Sequence, residues 1–248
     1  MSGTTGIAWT DATWSPVTGC SKVSPGCAHC YAETLALTRL AGRPGYPGLP
    51  WTPENAATNI VLHPDRLDLP LRWRKPRRVF VNSMSDLFHE NIPEEYIHRV
   101  WLTMGAAGQH TFQVLTKRPE RMRRMLEWAC LGGREWTLPN VWLGVSIEND
   151  RFVSRADALR ETPAAVRFVS AEPLLGPLPS LDLTGISWLI VGGESGPGHR
   201  PMDPAWVRDL RDRADGAGVA FFFKQWGGRT PKAGGRLLDG RTHDDAPD

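Results

Sequence analysis

The sequence predicts an α/β fold, a partial (β/α)6–7 TIM-like barrel, and three observations carry that expectation. From residue 79 onward, short apolar runs rich in β-formers alternate with helical patterns. Most of the runs are apolar throughout, as strands buried on both faces of a parallel sheet should be. A polar cluster follows each run directly. In parallel α/β folds the carboxyl ends of the strands form the active face.

The segment from about Ala8-Trp9 to Val17 supplies a first strand leading into a cysteine-rich loop. Residues 40–76, rich in Gly and Pro, form a long excursion before the second unit. Strands follow at 79–82, 111–115, 141–145, 166–169, 188–191 and 220–223. A helix opens at Pro93 and runs through Trp101, with Glu94 and Glu95 in the first turn, where they suit the positive end of the helix dipole. The next follows Pro119 and carries Met122, Met125, Leu126 and Ala129 on one side, with Cys130 a small apolar neighbour. A third covers about Arg151 to Arg160. The last has Asp203 as N-cap and Pro204 at its first position, with Trp206, Val207 and Leu210 turned inward. Residues 173–187 replace a long helix with a turn-rich crossover. Strands joined by crossovers imply a parallel sheet. A doubly wound open sheet is the alternative. The expectation is one domain over residues 1–248, with 228–248 a tail that is partly ordered at best.

With 248 residues, 41% of them hydrophobic and 23% charged, the chain has the composition of an ordinary soluble globular protein. A net charge of +2 gives no argument for nucleic acid. Two local basic clusters, 72–78 and 118–124, read as solvated faces or as a phosphate-contacting rim. The N-terminus lacks the pattern of a signal peptide. No apolar stretch reaches the ~20 residues that span a bilayer. These features predict a cytoplasmic protein with no membrane partner. In that reducing compartment clustered cysteines serve as metal ligands or redox groups rather than as disulfides.

The strand ends offer Asn82-Ser83-Met84-Ser85-Asp86, Thr116-Lys117-Arg118, Ser146-Ile147-Glu148, Ser170-Ala171-Glu172, Gly192-Gly193-Glu194 and Lys224-Gln225. Together they describe a polar pocket. Gly192, Gly193 and Gly196 are expected to let backbone approach a ligand closely.

Three of the four cysteines, Cys20, Cys27 and Cys30, enter this same face within one loop. An odd number of thiols cannot all pair. Cys27-x-x-Cys30 lets two thiolates reach one centre, and Pro25-Gly26 makes the turn that brings Cys20 round. The run after Cys30 reads as a helix start, whose dipole stabilises a thiolate. Closed structural zinc wants a fourth ligand, and neither His29 nor Cys130 is well placed to be one. Catalytic zinc with an open position, as in a hydrolase or deaminase, also needs a Glu beside the metal-bound water. An iron–sulfur cluster with three thiolates and one unligated iron suits the count and spacing.

A three-cysteine loop after the first strand of a β/α barrel resembles the radical S-adenosylmethionine enzymes, although they commonly have three residues between the first two cysteines and this loop has six. Across nearly its whole length the chain also resembles the phage-type three-Cys-motif proteins. The stretches that carry this likeness include Ala8-Trp9-Thr-Asp-Ala-Thr-Trp14, Gly19-Cys20 through Cys27-x-x-Cys30-Tyr31-Ala, Asn82-Ser-Met-Ser-Asp86, Leu115-Thr-Lys-Arg-Pro119, Gly144-Val-Ser-Ile-Glu148, Ser170-Ala-Glu172-Pro, Gly192-Gly-Glu194-Ser and Phe223-Lys-Gln225-Trp-Gly.

The resemblance implies a radical-SAM-type barrel in which Cys20, Cys27 and Cys30 ligate a [4Fe-4S] cluster. In such enzymes S-adenosylmethionine binds the free iron and yields a 5′-deoxyadenosyl radical. It further implies an external electron donor, a three-Cys-motif partner protein, and a nucleic acid or nucleotide substrate in repair or modification. His29 and Tyr31 are then expected near the adenine, and Asn82 and Ser83 at the amino group. Lys117 or Arg118 would meet the carboxylate and Glu148 the ribose, with Ser146 in the same cofactor-binding set. Lys117, Glu172, Glu194, Lys224 and Gln225 make up the catalytic set, the last four facing substrate. Radical-SAM barrels commonly carry Gly-Gly-Glu after the second strand. Here Asn82-Ser83 stands in that place, and Gly192-Gly193-Glu194 follows a late strand. The alternative is a zinc- or cluster-stabilised non-catalytic adaptor that works with a partner protein.

Overall fold

The computed structural model describes residues 5–131 and 137–247, and their side chains except those of 128–131. Ala129 and Cys130, assigned above to a helix, therefore lie outside the described side chains. In chain order the main elements are β1 (Ala12–Thr13), β2 (Val17–Thr18), α1 (Tyr31–Leu37), α2 (Ala56–Asn59), β3 (Val61–Leu62), β4 (Arg78–Val81), α3 (Glu94–Ala106), β5 (Thr111–Thr116) and α4 (Pro119–Leu131). They continue with β6 (Val141–Ser146), α5 (Ser154–Glu161), β7 (Val166–Ala171), β8 (Trp188–Gly192), α6 (Pro204–Ala217) and β9 (Ala220–Gln225).

Seven strands form one parallel sheet in the order β1-β4-β5-β6-β7-β8-β9. The order never reverses, so the sheet has no switch point and the doubly wound alternative fails. The sheet is curled into an open half-barrel. In a flat sheet, strands β1 and β8 would stand about 24 Å apart, five steps of about 4.8 Å. Yet the ring of Trp9, just ahead of β1, lies 6.2 Å from Trp188 on β8 and 6.5 Å from Phe168 on β7.

Side chains alternate across each strand, so one chain segment feeds two cores. Val79, Val81, Phe112, Val114, Leu143, Val145, Leu189 and Val191 pack outward with Ile97, Met104, Met122, Leu159, Val207 and Leu210 of the helices. Phe80, Trp142, Phe168, Trp188, Ile190 and Phe222 point inward and close with Trp9 on the concave face. Trp188 meets Trp142 and Phe222 edge to face at 5.9 and 6.1 Å, the arrangement that ring quadrupoles favour. Gly144 sits opposite Phe168, and any Cβ there would overlap that ring.

The helices follow the sequence expectations, with Asp203 accepting from the Ala205 amide at the start of α6 (2.8 Å). The excursion is docked rather than loose. β3 pairs with β2, and the Trp14 indole donates to the Arg66 carbonyl (2.8 Å). The tail departs from expectation. Leu238 is buried, the Phe223 amide donates to the His243 carbonyl (3.0 Å), and the Trp188 indole donates to the Asp245 carbonyl (2.8 Å). The physical reason is that β9 is an edge strand, and the tail covers its free backbone groups. Among the described residues no helix is long and apolar enough to cross a membrane.

Candidate functional site

Each inward strand turns polar at its carboxyl end, and these ends enclose a cavity of about 460 Å³. Trp9, Phe80 and Leu115 contribute to its floor, and the cysteine loop forms one wall. All three thiols of that loop reach the cavity, and none of them is paired in a disulfide. His29, Tyr31, Asn82, Ser83, Lys117, Arg118, Ser146, Glu172, Glu194, Lys224 and Gln225 line it as well. Of the residues given a catalytic, cofactor-binding or metal-ligating role from the sequence, Glu148 alone does not.

Glu148 lies beneath the loop, with no exposed surface. The Ser24 hydroxyl donates to its Oε1 (2.5 Å), Arg155 donates to its Oε2 (3.0 Å), and the Lys117 ammonium stands 3.6 Å away. A Cβ on Gly26 would come within 2.6 Å of the same Oε1, so only glycine lets the loop settle there. The carboxylate expected at the ribose is thus engaged by Ser24, Arg155 and Lys117 and does not line the cavity.

Glu194 has a similar fate. His29 Nδ1 lies 2.9 Å from its Oε2, and the Arg200 amide and Nε both donate to that oxygen at 2.9 Å. Arg200 Nη2 bonds the other oxygen and also donates to the Pro25 carbonyl (2.9 Å). Burial alone would raise this carboxyl's pKa, but the bonds from Arg200 and His29 outweigh it and hold the group at about 2. Glu194 touches the cavity but is committed to the loop.

The Cys20 half of the loop has its own fastening. Arg118, a buried side chain, donates to the Ser21 carbonyl and hydroxyl (3.3 and 3.0 Å) and pairs with Glu90 (3.0 Å). His89 Nδ1 accepts from the Asn91 amide, which leaves Nε2 to donate to Ser21 Oγ (2.8 Å). Burial, then Arg118, pushes the His89 pKa down to about 4, so the ring stays neutral. Arg118 is thus partly engaged by the protein, while its Nη1 has no hydrogen-bond partner among the described residues. In the same basic cluster Arg121 donates to the His89 and Ile92 carbonyls and Arg123 pairs with Glu161, while Arg124 is exposed. In the other cluster Arg77 stacks over Trp73 at 5.1 Å and Arg72 pairs with Asp68.

Burial pushes the Cys20 thiol up to about 12, with the Asp86 charge and the other two thiols adding to the rise. Burial also raises Cys30, the N-cap of α1, while the amides of Glu33 and Ala32 pull it back. A coordinated metal reverses this balance and drives the protons off. Among the described residues no group of three or more His, Cys, Asp or Glu side chains is drawn together tightly enough to hold a single metal ion. The donor set is three thiols lining one cavity, chemically suited to a thiolate-ligated centre.

The remaining wall is less committed. Lys224 pairs with Glu172 at 2.8 Å, and Ser170 donates to the other Glu172 oxygen at 3.1 Å. Gln225 donates to Ser195 Oγ at 2.7 Å. Asn82 is buried and gives its amide to Ser85 (2.6 Å), leaving Oδ1 without a partner. Tyr31 stands 51% exposed and donates to the Ser83 carbonyl (2.8 Å). Gly192 and Gly193 are shaped by protein rather than by a ligand, since a Cβ on Gly192 would meet Glu172 Oε1 at 2.5 Å and one on Gly193 would strike the Trp226 carbonyl. Sequence reasoning missed Ser21, Ser24, His89, Arg155 and Arg200. Ser21 and Ser24 carried a faint signal as polar neighbours of cysteines, whereas Arg200 carried none.

A family profile described as "Protein of unknown function (DUF5131)" matches residues 4–247, and the chain belongs to that family. The description carries no phage association. No curated protein matches the sequence. Solved structures of spore photoproduct lyase show partial likeness. A single mutant is 18% identical with a TM-score of 0.46, over 93% of this chain and 63% of that one. The enzyme complexed with dinucleoside spore photoproduct is 14% identical with a TM-score of 0.44, over 83% and 61%. A double mutant with bound AdoMet and the same dinucleoside is 15% identical with a TM-score of 0.40, over 83% and 61%. The chain spans less than two thirds of the length of these proteins.

Proposed function

We propose that this family member is a radical S-adenosylmethionine enzyme acting on a nucleic acid or nucleotide. The observation that carries the reading is that three unpaired thiols line one cavity at the carboxyl ends of a parallel half-barrel. Cys20, Cys27 and Cys30 would hold a [4Fe-4S] cluster with one iron left for S-adenosylmethionine. Bound together, and fed by an external electron donor, the two would supply one-electron chemistry that begins with hydrogen abstraction.

The chain's own residues prepare the space. The unpartnered Asn82 Oδ1 is an acceptor suited to an ammonium group. Lys117, with part of its side chain exposed, and Arg118, whose Nη1 has no hydrogen-bond partner among the described residues, both line the cavity as cations for a carboxylate. Trp9, Phe80 and Leu115 give a flat ring an apolar floor. Across from the thiols, Lys224, Glu172 and Gln225 offer donors and acceptors to polar substituents. The latched loop and the closed aromatic layer limit water at the reacting face.

Anaerobic purification should give a brown protein with broad absorbance near ~400 nm, with iron and sulfide in equal amounts and S-adenosylmethionine-dependent release of 5′-deoxyadenosine under reduction. Zinc without iron in such a preparation would sink the proposal and favour the adaptor reading.

A further inference from the structure

Besides the Ser24–Glu148 tie, the cysteine loop is fastened at two separate places. Ser21 is held from the segment after β5 by Arg118 and from the segment after β4 by His89. The turn before Cys27 is held from the far side of the half-barrel, where Arg200 grips Glu194 and the Pro25 carbonyl together. Glu194 also takes His29, one residue ahead of Cys30. Its side chain is 3% exposed and that of Arg200 34%, so the clamp has a buried acceptor and an accessible donor.

We infer that Glu194 and Arg200 are positioning residues that hold the Cys27–Cys30 half of the loop over the cavity, independently of the Cys20 half. Without them the side-chain tie left beside the Pro25–Cys27 turn, among the described residues, is Ser24 on Glu148. A flexible turn would spread the thiols over many separations and weaken any centre that needs all three at once. The importance of this clamp rests on the thiols being the reactive site. Its existence does not, and the test is made on metal-free protein.

The test is alkylation of the reduced, metal-free chain by iodoacetamide, with each cysteine followed separately by mass spectrometry. Arg200→Ala removes a side chain that is about one-third exposed and should leave the fold intact. It is expected to raise the labelling rates of Cys27 and Cys30 at least tenfold, leaving Cys20 within twofold and the melting temperature little changed. Glu194→Gln should move the same two thiols, and Arg200→Lys, which keeps the charge but loses the fork, should rescue only in part. Unchanged rates in both Arg200→Ala and Glu194→Gln would overturn the inference. So would an equal rise at all three thiols with a lowered melting temperature, which marks general loosening. Failure of the cluster reading would show instead as absent iron in a protein whose thiol pattern still obeys the clamp.

Discussion

The concave face of the half-barrel has two storeys built by the same strands. In the lower one Phe80, Trp142, Phe168, Trp188 and Phe222 close on Trp9 with ring against ring. In the upper one, two or four residues further along, stand Asn82, Ser146, Ser170, Glu172 and Lys224. The lower storey is completed within the sheet apart from Trp9 and the tail. The upper storey is completed by groups from outside it, among them Ser24, Arg155 and Arg200. A strand can close its apolar half against its neighbours, but its polar half is defined by whatever the loops bring to it.

The comparison is broken first by Trp188→Ala, which opens a large cavity in the lower storey. Denaturant unfolding should show a loss of about 3–5 kcal/mol, while the alkylation pattern of the three thiols in the folded protein stays as it was. Coupled changes would mean that the storeys are one unit. Next is Glu148→Ala, which leaves the buried Arg155 guanidinium without its carboxylate. A loss of about 3 kcal/mol is expected, together with faster labelling of Cys27, since Ser24 is released. Smallest is the acid response of Glu194. Its folded pKa of about 2 lies below the ordinary 4.5, so its contribution is complete above about pH 4.5 and fades as pH falls towards 2. The stability difference between wild type and Glu194→Gln, followed by tryptophan fluorescence, should shrink over that window. A difference that does not depend on pH would mean that the carboxylate charge is not what the latch uses.

Much of the fold was legible because periodicity and apolar runs report burial directly. The six strands from 79 onward, the capped α6 and the polar strand ends all follow from it. The inward and outward sets were not separable, because both are apolar below the polar ends. Composition also misread the tail, since single residues such as Leu238 and His243 do the covering among many Gly, Arg and Asp. In the site, the thiols and the strand ends were visible as neighbours in sequence. Which ends face the cavity and which are spent on the loop was not visible. Glu148, Glu194 and Arg118 have partners 124, 165 and 97 residues away along the chain. Pairings at that distance leave no local pattern.

Gly26 carries one more implication. In a library holding every substitution along this chain, position 26 should be as intolerant as the three cysteines, though it contributes no atom to chemistry. Its intolerance would be borrowed from Glu148, whose carboxylate fills the space any side chain would need. Shortening Glu148 to Ser is itself destabilising, but it removes the clash, so Gly26→Ala should cost less in the Glu148→Ser background than in the wild type, a coupling readable as stability without any assay of the reaction.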